Sequence, residues 1–109
     1  KAHVELEQLV SRLQDAKDHD APGAWCVRGA HLELVEPKLE DVVDKCYEEG
    51  MRDFTILPWF LASGRHLNED IPELHKALQE KYLDATFELK KHLGAELALV
   101  NLAWEIVQN

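Results

Sequence analysis

The sequence predicts an α/β fold in three layers, a parallel sheet with helices on both faces. Three observations carry that expectation. Short apolar runs rich in β-branched and aromatic residues alternate with stretches of helical periodicity, in the order α-β-α-β-α-β-α. The intervening helices are long enough to serve as right-handed crossovers between parallel strands. The chain has 109 residues, 46% of them hydrophobic, which suffices for one compact core and not for two ordinary domains, so residues 1–109 are expected to form a single domain.

Taken in order, Leu6, Leu9, Val10, Leu13 and Ala16 fall at helical spacing and predict an amphipathic helix that ends in the polar, turn-prone stretch Asp18 to Gly23. Ala24 to Leu34, with Trp25, Val27, Ala30, Leu32 and Leu34 and a glycine among them, predicts the first strand. Pro37 is expected to open the next helix, because its ring is pre-set for the first turn and Glu40 and Asp41 suit the positive end of the helix dipole. Leu39, Val42, Val43, Cys46 and Tyr47 make its apolar stripe, and Gly50 its stop. Phe54 to Leu57, ended by Pro58, predicts a strand buried on both faces. Trp59 to Asn68 reads as a loop. Asp70-Ile71-Pro72-Glu73 reads as a capping-box-like start to a helix with Ile71, Leu74, Leu78 and Tyr82 inward. Ala85 to Leu93 predicts a third strand, and Leu99, Leu102, Ala103, Ile106 and Val107 a last helix.

Composition narrows the function. A net charge of -9 argues against nucleic acid, whose phosphates need a basic footprint. No apolar run approaches the roughly 18 to 20 residues that cross a bilayer, and residues 1–6 lack the layout of a secretory signal, so a soluble, cytoplasmic protein without membrane contact is expected. Cys26 and Cys46 are the only cysteines and form no C-x-x-C pair, so they read as two buried thiols rather than a disulfide or a zinc knuckle. The chain opens at Lys1, without Met, directly on a helical pattern, which reads as the continuation of an earlier segment.

In open parallel sheets ligands sit at the carboxyl ends of the strands, which directs attention to Glu33–Pro37 and Pro58–Asn68. The second loop places Gly64, Arg65 and His66 between a strand and a helix N-terminus. Gly64 allows a turn that a β-carbon resists, Arg65 pairs with carboxylates through a planar fork, and His66 is a metal ligand or proton acceptor near neutral pH. Upstream, His31 and Glu33 share one face if the strand persists to Leu34. A carboxylate with one or two imidazoles suits a borderline divalent ion such as Co²⁺, Fe²⁺ or Ni²⁺. A solvated strand end is the alternative for that pair.

These stretches carry a resemblance. His31-Leu32-Glu33-Leu34-Val35-Glu36-Pro37 is similar to an F-L-E-x-x-E-P stretch of the sirohydrochlorin chelatases. Leu57-Pro58-Trp59-Phe60-Leu61, followed by Gly64-Arg65-His66 and, after three residues, Asp70-Ile71-Pro72, resembles that family's longer P-[YF]-F-L-x-x-G-R-H-x-x-x-D-I-P stretch. The resemblance implies a chelatase-like, flavodoxin-like half whose first strand, with its His-Gly-Ser-Arg motif, has no counterpart in this chain. It implies His66 and Glu33 as the catalytic and metal-holding pair, with Arg65, Gly64 and Trp59 as residues against the tetrapyrrole. His31 stands where the family usually has an aromatic, and is either an added ligand or a polar replacement satisfied by one hydrogen bond.

The implied activity is insertion of a divalent metal, Co²⁺ first and Fe²⁺ or Ni²⁺ as alternatives, into sirohydrochlorin in cobalamin or sirohaem biosynthesis. The metal is substrate, no organic cofactor is expected, and the implied assembly is a homodimer. Sirohydrochlorin is a polycarboxylate, so local positive charge at Arg65 and at helix N-termini has to outweigh the global negative charge, which salt screens beyond about 8 to 10 Å. Two rival expectations stand beside the enzyme: a non-catalytic metal or tetrapyrrole carrier, and an interaction module in which the loop is structural. Trp25 and Trp104 read as core or interface aromatics, and His19, His75 and His92 are given no function.

Overall fold

The computed structural model describes residues 2–20, 25–32, 35–64 and 66–109, and all their side chains except those of residues 2, 3, 66 and 67. The chain divides into two compact units, Lys1–Gly50 and Met51–Asn109.

The first unit opens with α1 (Ala2–Asp20), stabilised at its ends by Glu5 in the first turn and Lys17 and His19 in the last. Leu6, Leu9, Val10, Gln14 and Lys17 are its half-buried positions, whereas Leu13 and Ala16, expected inward, are exposed. The reason lies in residues 25–30, which run extended beside α1. Gln14 Oε1 accepts the Val27 N–H at 2.7 Å, and Lys17 Nζ donates to the Trp25 carbonyl at 3.1 Å. The inward face of α1 is therefore partly polar, because it satisfies backbone that has no sheet neighbour among the described residues. Gly29 permits the approach: a β-carbon there would lie 2.8 Å from both Leu6 Cγ and Val10 Cγ2.

The strand expected over Ala24 to Leu34 is thus replaced, within its described part, by an extended segment ending in a single parallel bridge, His31 with Lys38. Helix α2 (Leu39–Glu48) begins two residues later than Pro37, with Lys38 in extended conformation as N-cap and no side-chain cap. Pro37 lies before the cap and its carbonyl accepts the His31 N–H at 2.8 Å, so the proline shapes the entry turn rather than the first helical turn. Val43 and Cys46 are buried, as the apolar stripe predicts. Gly50, at φ +101, closes the helix in the left-handed region that favours glycine, its N–H donating to the Tyr47 carbonyl at 3.0 Å. Of the two thiols Cys46 is buried and Cys26 is exposed, where its Sγ accepts from Arg28 Nη1 at 2.8 Å.

The second unit is a β-α-β arrangement. Strands β1 (Asp53–Ile56) and β2 (Thr86–Leu89) pair in parallel, Asp53 with Thr86 through Ile56 with Leu89. Between them lies α3 (Ile71–Lys81), which buries Ile71 and Leu78. Phe54 and Phe87 stack across the pair with ring centroids 4.9 Å apart, and Thr86 Oγ1 donates to Asp53 Oδ1 at 2.8 Å on the other face. β1 alternates exposed and half-buried residues, so one of its faces is wet rather than both being dry. His75 on α3 places Nε2 2.6 Å from the Phe87 carbonyl, tying the helix to β2.

Helix α4 (Leu97–Gln108) closes the chain with none of its residues buried, and Trp104, like Trp25, is exposed rather than in a core. The class is α/β with a parallel sheet, as the sequence predicts. Among the described residues that sheet has two strands and not three.

Candidate functional site

Beyond Ile56 the backbone stays bonded to the segment after β2. Lys90 N–H donates to the Ile56 carbonyl at 2.9 Å, Leu93 N–H to Pro58 at 3.1 Å and Gly94 N–H to Phe60 at 2.9 Å. Gly94 is what makes this possible, since a β-carbon there would collide with the Leu61 carbonyl group. The first half of the loop is therefore anchored at the carboxyl end of β1, where an open parallel sheet takes its ligands. Pro58 is buried at the anchor while Trp59, 50% exposed, and Leu61, 70% exposed, stand out from it.

The second half leads into α3. Asn68 N–H donates to the Gly64 carbonyl at 2.9 Å, and His66–Asp70 forms a wide, π-helical turn that runs directly into Ile71. Part of the stretch expected as loop is therefore helical, and the expected capping box at Asp70 does not form: Asp70 is itself in helical conformation and makes no side-chain cap. The preceding turn already supplies the carbonyls that a cap would otherwise replace.

Gly64 needs a different account from the one its sequence suggests. Its backbone is outside the left-handed region, and among the described residues no atom beyond its chain neighbours lies within 4 Å of the position a β-carbon would take. Neither the described backbone nor the described neighbours make glycine obligatory at this turn.

His66 is the first residue of the π-helical turn, so its backbone stands at the entry to α3. Its side chain, and Glu33 and Arg65 entirely, lie outside the described residues. Among the described residues no three His, Cys, Asp or Glu side chains converge as a metal-binding group.

In the first unit His31 is held by its backbone, donating to the Pro37 carbonyl at 2.8 Å and accepting from the Leu39 N–H at 3.0 Å. Its ring Nε2 is buried and has no hydrogen-bond partner among the described residues. Sequence reasoning passed over Gly94, for which only the close approach of the two segments is a signal, and over His75, whose role is structural.

Comparison with known proteins bears on this loop. The CbiX family model matches residues 1–109. The chain is 29% identical over 109 residues to the chloroplastic sirohydrochlorin ferrochelatase of Arabidopsis thaliana, covering 100% of this chain and 46% of that protein. It is 30% identical over 112 residues to a sirohydrochlorin cobaltochelatase of Methanosarcina acetivorans, covering 94% of this chain and 83% of that one. The chain thus spans about half the plant relative and most of the other. A crystal structure of a cobalamin (vitamin B12) biosynthesis CbiX protein from Marinobacter aquaeolei VT8 superposes with a TM-score of 0.69 at 26% identity, covering 93% of this chain and 83% of that one.

Proposed function

This chain belongs to the CbiX family, and we propose on that footing that it inserts a divalent metal into sirohydrochlorin, working as a single domain and as a homodimer. Co²⁺ is the first candidate, with Fe²⁺ and Ni²⁺ accepting the same ligand types. The observation that carries the reading is the family match over residues 1–109 together with the contiguous Gly64-Arg65-His66 string in the sequence between β1 and α3.

Insertion requires the aquated ion to shed water and the macrocycle to lose two pyrrole N–H protons. A loosely held ion and a neighbouring base meet both needs. In this reading His66 and Glu33 hold the ion on one face of the macrocycle, and neutral imidazole or carboxylate accepts the protons. Arg65 pairs with substrate carboxylates. The exposed ring of Trp59 and side chain of Leu61 suit the approach of the flat face of a tetrapyrrole. No helix among the described residues is long and apolar enough to cross a membrane.

The test is conversion of sirohydrochlorin by the chain with Co²⁺, Fe²⁺ and Ni²⁺ in turn, followed by the change in visible absorption on metallation. Acceleration over the spontaneous rate is expected, with His66→Ala slower by about 100-fold or more. No acceleration overturns the enzyme reading, and tight binding of the tetrapyrrole without turnover favours a carrier. Sedimentation checks the dimer, and a single cooperative unfolding transition checks the single domain.

A further inference from the structure

The chain carries 21 acidic residues, yet none falls in 54–68 or in 89–95. Backbone bonding brings these two acid-free stretches together. Within the second unit the Lys90, Leu93 and Gly94 N–H groups donate to the Ile56, Pro58 and Phe60 carbonyls at 2.9, 3.1 and 2.9 Å. Lys90-Lys91-His92 therefore runs beside the first half of the candidate loop, at the carboxyl ends of β1 and β2.

Cations at the two ends of the sheet are used differently. At the amino end Arg52 Nε lies 3.2 Å from Asp84 Oδ2. At the carboxyl end Lys90 Nζ lies 2.8 Å from Glu88 Oε2, whereas the side chain of Lys91 is exposed and makes no ion pair or hydrogen bond among the described residues. An unpaired ammonium in a chain of net charge -9, set where an open parallel sheet takes its ligands, is placed to receive an anion.

We infer that Lys91 binds a carboxylate of the tetrapyrrole, and that the strip 89–95 is the rim along which the substrate's acidic side arms lie. The inference rests on the substrate class proposed above. Trp59 and Leu61, exposed in the stretch bonded to this strip, offer apolar surface to the face of the macrocycle, so flat ring and charged periphery meet two adjacent segments. An ammonium on a flexible stem suits carboxylates carried on rotatable arms. Lys90 adds less, because Glu88 offsets its charge. The acidic remainder of the chain is screened beyond about 8 to 10 Å. Since the side arms do not react, the contact holds substrate and product alike and tightens binding without speeding insertion.

The experiment titrates sirohydrochlorin into the full chain without metal, following its absorption at low and at physiological salt. Lys91→Glu is compared with Lys81→Glu, which makes the same charge change at the end of α3 that leads into β2. Reversal at Lys91 removes an attraction and adds a repulsion, so the Kd should rise about fivefold or more at low salt and less at high salt. In turnover KM rises and kcat is kept. Lys81→Glu is expected to stay within about twofold of the parent, and Lys91→Arg, which keeps the charge, to bind as the parent does. Equal weakening by Lys91→Glu and Lys81→Glu reports overall charge alone and overturns the inference, as does an unchanged Kd in Lys91→Glu or a loss confined to kcat. A parent chain that binds sirohydrochlorin through Lys91 yet inserts no divalent ion overturns the proposed function and leaves the binding rim standing. Insertion that Lys91→Glu performs with the parent's KM does the reverse.

Discussion

Residues 25–32 and strand β1 have similar apolar character, yet their backbones are satisfied in opposite ways. β1 is laddered to β2 over four residue pairs, and the bonding continues through the Ile56, Pro58 and Phe60 carbonyls. The 25–32 segment instead lies along α1, with Gln14 and Lys17 supplying its partners at Val27 and Trp25. Apolar alternation specifies an extended backbone, whereas the partner of that backbone depends on which donors and acceptors the fold brings alongside. The same contrast separates two glycines. Gly29 faces the flexible ends of Leu6 and Val10, while Gly94 faces the Leu61 backbone.

The comparison is broken most severely at Phe87. This residue is 5% exposed and stacks on Phe54, so Phe87→Ala is expected to cost about 3 to 5 kcal/mol in urea unfolding and to separate β2 from β1. Gly94→Ala should follow, at about 1 to 3 kcal/mol or more, because a backbone carbonyl cannot turn aside as a side chain can. Gly29→Ala is predicted to cost less than Gly94→Ala in the same assay, and a reversed order would show that α1 is the less yielding neighbour.

Gln14 sharpens the comparison from the other side. Gln14→Ala removes the acceptor of the Val27 N–H and should cost about 1 to 2 kcal/mol, with faster hydrogen exchange at Val27. Gln14→Glu keeps the acceptor and is expected to retain most of that protection.

The smallest effect concerns the thiols. Burial pushes the Cys46 pKa up, Arg28 opposing it in part. A folded pKa above the unfolded value stabilises the fold below the unfolded pKa and loses that contribution as pH rises through the folded value. The urea midpoint should therefore decline above about pH 9, and less so in Cys46→Ala. Iodoacetamide is expected to label exposed Cys26 first and Cys46 only on unfolding.

Much of the architecture is legible from local pattern. The stripe from Leu39 to Tyr47 with Gly50 after it predicts α2 to within two residues, and the β-branched run at Phe54 and the alternation through Phe87 and Leu89 predict β1 and β2. The candidate loop is legible for the same reason: Gly64-Arg65-His66 is a contiguous string that needs no partner to be noticed. Less legible are features set by a second segment. Leu13 and Ala16 share the apolar spacing of α1, but the backbone at 25–27 draws Gln14 and Lys17 inward instead. Gly64 looks like a required turn glycine, yet neither the described backbone nor the described neighbours make it one, whereas Gly94 is required and looks ordinary.

By itself the sequence determined which stretches are helical or extended, the class of fold, and the loop on which the chemistry is proposed to rest, because each follows from spacing within a few residues. Tertiary structure alone decided that 25–32 leans on α1 while β1 pairs with β2, that a glycine is needed at 94, and that His31 Nε2 is buried with no partner among the described residues. Those outcomes depend on groups distant along the chain meeting at hydrogen-bond and van der Waals range, and local periodicity carries no information about which distant group arrives.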